Sequence, residues 1–171
     1  MSVYTATPYS RSKIRRLTNL IRSIFGLDDI RYFPIVHMLE IGLPKIFEEF
    51  NLEIVEKSLL PNKYGVTYPE ENLIRLREDV YERAISGIPR DRFTVAHEIG
   101  HFIMHRPTNI ALARNEKEEE IPAFKNPEWQ ANTFAAELLA PPHIIKGLSA
   151  AEVALTCGVS KDVASIQLKN L

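Results

Sequence analysis

The pentapeptide His97-Glu98-Ile99-Gly100-His101 constrains this chain more than any other feature. Phe93, Ala96, Ile99, Phe102 and Ile103 surround it at helical spacing, so the segment predicts a largely buried helix. Such a helix cannot leave two imidazoles and a carboxylate without partners. Residues four apart share one face, about 40° apart around the axis. His97 and His101 can therefore converge on one zinc ion, at roughly 2.0–2.1 Å from each nitrogen. Glu98 follows the first histidine directly and can take a proton from water without ligating the metal. Gly100 costs the helix about 1 kcal/mol relative to alanine, which makes sense where another element packs close. Asp91 is the expected N-cap and Pro107 the expected stop.

A catalytic zinc needs a third protein ligand and an open position. His105 lies about 80° around the helix from His97 and about 12 Å along it, so it cannot meet the same ion. It is expected to support a ligand or to close the helix. The segment Pro127 to Pro141 is a second helix, small and apolar enough to pack tightly on the first. Glu128 and Asn132 share a face there, so the carboxylate could ligate while Asn132 orients a ligand. Glu137 lies about 180° from Glu128, so only one of these carboxylates can face the metal.

The rest of the chain organises around these two helices. Ile14, Leu17, Leu20, Ile21, Ile24 and Phe25 predict an N-terminal helix stopped at Gly26. A second helical stretch, 35–50, is expected to break at Gly42 and Pro44. Residues 52–56, 64–68 and 73–77 read as strands, the last two joined by a hairpin turn at Pro69-Glu70-Glu71-Asn72. Residues 114–126, with Glu118, Glu119 and Glu120, read as a solvated loop. Two short helices split at Gly158 close the chain. The expected fold class is α+β: mainly helical, with a three-stranded sheet packed on the motif helix. The expected regions are 1–50 (helical), 51–145 (the core with the motif) and 146–171 (helical), forming one compact unit.

Composition excludes several classes. At 171 residues, 45% hydrophobic and 25% charged, the chain is one ordinary globular domain. A net charge of -1 gives no bulk reason to bind nucleic acid. Arg11, Lys13, Arg15, Arg16 and Arg22 precede the first acidic residue, Asp28, and are expected to line a solvated helix face. The single cysteine, Cys157, excludes an internal disulfide and reads as the end of a helix rather than a nucleophile. No apolar run is long enough to span a membrane, and no signal-peptide pattern opens the chain, so a cytoplasmic location is expected. Residues 151–166 have the rhythm of a helix-turn-helix. Ser160 to Leu168 supplies only Lys161 and Gln167 for reading bases, beside Asp162, so direct DNA binding is not expected.

Arg92-Phe93-Thr94-Val95-Ala96-His97-Glu98-Ile99-Gly100-His101, with Glu128, Ala131-Asn132, Phe134-Ala135-Ala136 and Leu138-Leu139 downstream, resembles the ImmA/IrrE family of metallopeptidases. Where that family often has Leu-Leu-Met-Pro, this chain has Leu138-Leu139-Ala140-Pro141. The resemblance implies a zincin-like fold, zinc ligands at His97, His101 and Glu128, and a catalytic base at Glu98. It also implies a substrate or partner: an Xre-type helix-turn-helix transcriptional regulator, cleaved by the protein. The alternative is a non-hydrolytic, zinc-containing regulatory or toxin–antitoxin partner of such a regulator. For the oxyanion donor, His105, Tyr64 and Tyr68 are candidates. An extended substrate is expected along an edge of the sheet at 64–68 or 73–77.

Overall fold

The computed structural model describes residues 6–106 and 121–171. Its chemistry is organised around a central helix, α5 (Pro89–Met104), buried along most of its length. A sheet covers one side of it and α6 (Pro127–Leu139) the other. The α+β expectation holds: helices predominate and the sheet has three strands, β1 (Asn51–Val55), β2 (Gly65–Tyr68) and β3 (Leu73–Arg77), in the order β1-β3-β2. As expected, β2 and β3 form a hairpin, with a 3₁₀ turn at Pro69–Glu71 and Asn72 in the left-handed region at φ 52°. The second pairing was not legible in the sequence. β1 runs parallel to β3, Leu52 opposite Ile74 and Ile54 opposite Leu76. Thus β3 is central, which rules out residues 73–77 as a free edge and leaves β2 beside the motif helix.

The period of two assigns the faces. Ile74 and Leu76 are fully buried, and their partners across the hairpin are Thr67 and Gly65. These residues form the face toward α5. Val66 pairs with Arg75 and Tyr68 with Leu73 on the opposite face.

Before the sheet come α1 (Arg11–Ile24) and a short helical run of α2 (Ile35–His37), a π turn at Met38–Gly42 and α3 (Leu43–Ile46). Ser10 caps α1, accepting from the Lys13 amide, and Gly26 ends it at φ 67°. The expected break at Gly42 and Pro44 is instead a change of helical pitch. Pro44 has no N–H and its ring clashes with an ordinary α-turn. The wider turn takes the strain, with the Leu43 amide bonding the Met38 carbonyl.

After the sheet, α4 (Glu78–Ile85) leads into α5. Asp91 is not the N-cap: Ile88 holds that position and Pro89 is the first helical residue. Asp91, in the first turn, is buried and paired with Arg83 at 3.0 Å. Of the expected solvated loop, residues 114–120, and with them Glu118 to Glu120, lie outside the described residues, as does Pro107. Ala123–Lys125 form a 3₁₀ turn, and Asn126 caps α6 by accepting from the Glu128 and Trp129 amides.

The chain closes with α7 (Pro142–Ile145), α8 (Ala150–Cys157) and α9 (Lys161–Lys169); Gly158 ends α8 at φ 65°. Arg92 of α5, 2% exposed, donates to the carbonyls of Gly158 and Phe33, so α5 caps the C-terminus of α8. One apolar core runs from Ile14 through Phe102 and Phe134 to Ala164. No helix among the described residues is long and apolar enough to cross a membrane.

The basic N-terminal face is corrected in part: Lys13 and Arg16 are exposed as expected, while Arg11 and Arg15 are half-buried and Arg22 is buried. Arg11 and Arg15 bind Glu137, whose side chain is fully buried. Arg22 is itself buried over the Phe33 ring and donates to the carbonyls of Leu138, Leu27 and Ile30. Burial lowers its pKa to about 10.

Candidate metal centre

Two local features aim the histidines. The α-helical period places His97 and His101 on one face of α5, ring centroids 4.6 Å apart. Gly100, on the neighbouring face, lets α6 approach so closely that a Cβ there would lie 2.9 Å from Phe134 Cδ1. This is the close contact that the glycine predicts, and it brings the first turn of α6 opposite the imidazole pair. Glu128 sits in that turn, where the helix dipole favours a carboxylate. Its Oε2 lies 3.2 Å from His97 Nε2 and its Oε1 3.1 Å from His101 Nε2. Among the described residues, His97, His101 and Glu128 are the group whose potential ligand atoms all lie within 4.8 Å of one another. Glu137 points the opposite way into its arginine pair, so α6 presents Glu128 alone.

The donor set fits a divalent ion. Two ligands about 2.0–2.1 Å from one tetrahedral ion stand roughly 3.4 Å apart. The two Nε2 atoms are 3.0 Å apart. His97 Nδ1 donates to Asn132 Oδ1 at 2.9 Å, so its Nε2 carries the lone pair. Asn132 thus stands where an orienting residue is expected. Lone pairs and a carboxylate facing one another need a positive centre between them. A proton added to either Nε2 is one such centre. The protonated imidazoles of His101 and His97, hydrogen-bonded to Glu128, hold its carboxyl well below the usual carboxylate range. Burial pulls the His97 pKa down, but the Glu128 hydrogen bond and the charges of Glu98 and Glu128 outweigh it, and the net shift is upward.

Glu98 is nearly buried, 7% exposed, and is fixed from the sheet. Thr67 Oγ1 donates to Glu98 Oε2 at 2.6 Å, and the Gly65 backbone leaves room for the side chain: a Cβ there would lie 2.9 Å from Glu98 Cγ. The strand that borders the site therefore also positions the candidate base. Neither Thr67 nor Gly65 was singled out for this task from the sequence, and the available signal was a small and a hydroxyl residue alternating on one strand face.

His105 caps the C-terminus of α5, 6% exposed, with Nδ1 2.9 Å from His101 Nδ1 and Nε2 2.7 Å from Gln130 Oε1. Burial lowers its pKa to about 4. With both nitrogens engaged it has no proton to offer an oxyanion. Tyr68 lies on the sheet face away from α5, its ring against Arg75, and does not line the cleft. Tyr64 does line it, half-exposed beneath the guanidinium groups of Arg77 and Arg90.

These side chains border a cleft of about 1070 Å³ between β2, α5 and the start of α6. One wall is Tyr64 to Thr67 and the floor is His97, Glu98 and His101. The volume is at the upper end for a ligand pocket. A search of curated proteins finds no match for the chain. A comparison with protein families matches residues 47–167 to the IrrE N-terminal-like domain, peptidase M78. That span includes the sheet, both helices and every residue of the cluster, and the chain belongs to the IrrE N-terminal-like family of peptidases.

Proposed function

We propose that the protein is a zinc-dependent endopeptidase acting on a protein substrate, with His97, His101 and Glu128 as ligands and Glu98 as general base. The observation that carries this reading is the convergence of two imidazole nitrogens and a carboxylate beside a second, separately anchored carboxylate, all in one cleft. An ion bound there supplies Lewis acidity, polarising a peptide carbonyl and making water nucleophilic near neutral pH. Glu98 takes the proton of the attacking water as its oxygen bonds to the carbonyl carbon. It then delivers that proton to the amine as the C–N bond breaks. Thr67 holds the Glu98 carboxylate at one angle through both transfers. The exposed edge of β2 offers backbone groups to an extended substrate, pairing it beside Glu98. Tyr64 is the oxyanion-donor candidate that lines the cleft. An Xre-type helix-turn-helix regulator as substrate follows from the family resemblance.

The test pairs cleavage with metal analysis, using an Xre-type helix-turn-helix regulator as the candidate substrate. Glu98→Gln is expected to retain zinc and lose roughly 100-fold or more of turnover, the scale of a general base. Glu128→Ala is expected to lose zinc on dialysis. Cleavage by Glu98→Gln at the wild-type rate overturns the base. Zinc-dependent binding of the regulator by the wild-type chain, with no cleavage at any time point, points to the non-hydrolytic partner instead.

A further inference from the structure

His105 lies between a metal-ligand candidate and a glutamine, and the bonds around that glutamine determine where every proton must be. Gln130 is fully buried on α6. Its Nε2 donates to the main-chain carbonyls of Thr7 and Phe124, both at 2.8 Å. Carbonyls only accept, so turning the amide over would set oxygen against oxygen twice. Gln130 Oε1 is therefore the atom that faces His105 Nε2 at 2.7 Å, and His105 must carry its proton there. The other nitrogen, His105 Nδ1, is then an acceptor, and it takes the proton of His101 Nδ1 at 2.9 Å. The lone pair of His101 is left on Nε2, the atom 3.1 Å from Glu128 and 3.0 Å from His97 Nε2.

We infer that Gln130 is a positioning residue: anchored by two main-chain carbonyls, it acts through His105 to keep the His101 proton on Nδ1 and its Nε2 free for a metal ion. The inference rests on the metal reading proposed above. A neutral imidazole left to itself divides its proton between the two nitrogens, and the fraction protonated on Nε2 is unable to ligate. The relay removes that fraction before an ion arrives. It also ties the orientation of His101 to the segment Ala6–Tyr9, whose backbone is bonded to Lys125 and Phe124 ahead of α6.

The test begins with the wild-type, metal-free protein. Long-range imidazole ¹H–¹⁵N spectra, at a pH where the rings are neutral, are expected to show Nδ1–H at His101 and Nε2–H at His105. The reverse pattern at either ring overturns the inference. Zinc affinity, measured by competition with a chromophoric chelator, is expected to fall about 10- to 100-fold in Gln130→Leu, the range for outer partners of a metal ligand. In a His105→Phe background the same substitution is expected to add no further loss, since Gln130 acts through the missing ring. An equal loss in both backgrounds, or wild-type affinity in Gln130→Leu, shows that Gln130 only tethers the N-terminal segment. A wild-type chain that binds no zinc defeats the metal reading itself, while the spectra still decide what Gln130 does to the two rings.

Discussion

Glu98 keeps its place because Gly65 has no Cβ. The backbone of Gly65 is not in the left-handed region, so the demand for glycine comes from space alone. A methyl there would meet Leu76 Cδ2 at 2.8 Å and Glu98 Cγ at 2.9 Å. Leu76 is fully buried and has little room to yield, so the carboxylate is the group that moves. Gly65→Ala is thus expected to swing Glu98 away from Thr67 while leaving His97, His101 and Glu128 in place. Zinc content should stay at the wild-type level and turnover should fall about 10- to 100-fold, as a misplacement near 1 Å does. Unchanged turnover in zinc-loaded Gly65→Ala would mean that Glu98 does not need this wall. Glu128 presents the opposite situation: it is largely exposed and its position comes from the helix that carries it.

At the level of elements, the spacing of α5 and α6 decides whether that carboxylate reaches the imidazoles. Gly100 sets the spacing, and two effects compete when it is replaced. Alanine is the better helix former by about 1 kcal/mol. Against this, its Cβ would lie 2.9 Å from Phe134 Cδ1 and 3.1 Å from Phe134 Cβ. A ring can tilt, but a Cβ moves only with its backbone, and overpacking of this kind costs about 1–3 kcal/mol. The steric effect wins. Gly100→Ala should lower the urea midpoint of the metal-free protein and weaken zinc binding, because α6 carries both Glu128 and Gln130. A stabilised variant with wild-type zinc affinity would refute the spacing argument. The sheet contributes in a complementary way: its edge strand β2 both borders the cleft and holds Glu98, so on the proposed function substrate pairing and proton transfer would share one element.

For the whole molecule, the N-terminal helix does more than add mass. It lies outside the span matched to the peptidase family, yet Arg11 and Arg15 hold the buried Glu137 of α6. Arg11 also donates to Gln167 of α9, which in turn donates to the Ala140 carbonyl. One buried carboxylate thereby joins the first helix, a helix of the site and the last helix. Removing one partner of a buried ion pair costs roughly 3–5 kcal/mol, and the low end applies because both arginines remain partly exposed. Glu137→Gln should reduce unfolding free energy by about that amount in urea denaturation. Zinc stoichiometry in the folded protein should not change, since Glu137 faces away from the cluster. Wild-type stability in this variant would show that the network is incidental.

The amino-acid sequence by itself determined what depends on near neighbours. A helix with His97 and His101 on one face, a glycine demanding close approach, a hairpin of two strands and a carboxylate at the start of a second helix all follow from periodicity and backbone sterics within a few residues. The tertiary structure alone decided what lies across from each polar group. The parallel docking of β1 is one such outcome. Others are the burial of Arg22, the pairing of Glu137 with two arginines expected to be solvated, and the contact of Gln130 with His105. A hint was present, since a helix as apolar on all sides as α6 must find internal partners for Gln130 and Glu137. Which partners these are depends on the stacking of segments up to 126 residues apart. Helical and strand periods carry no information about that stacking, because a hydrogen bond is specified by position in space and not by distance along the chain.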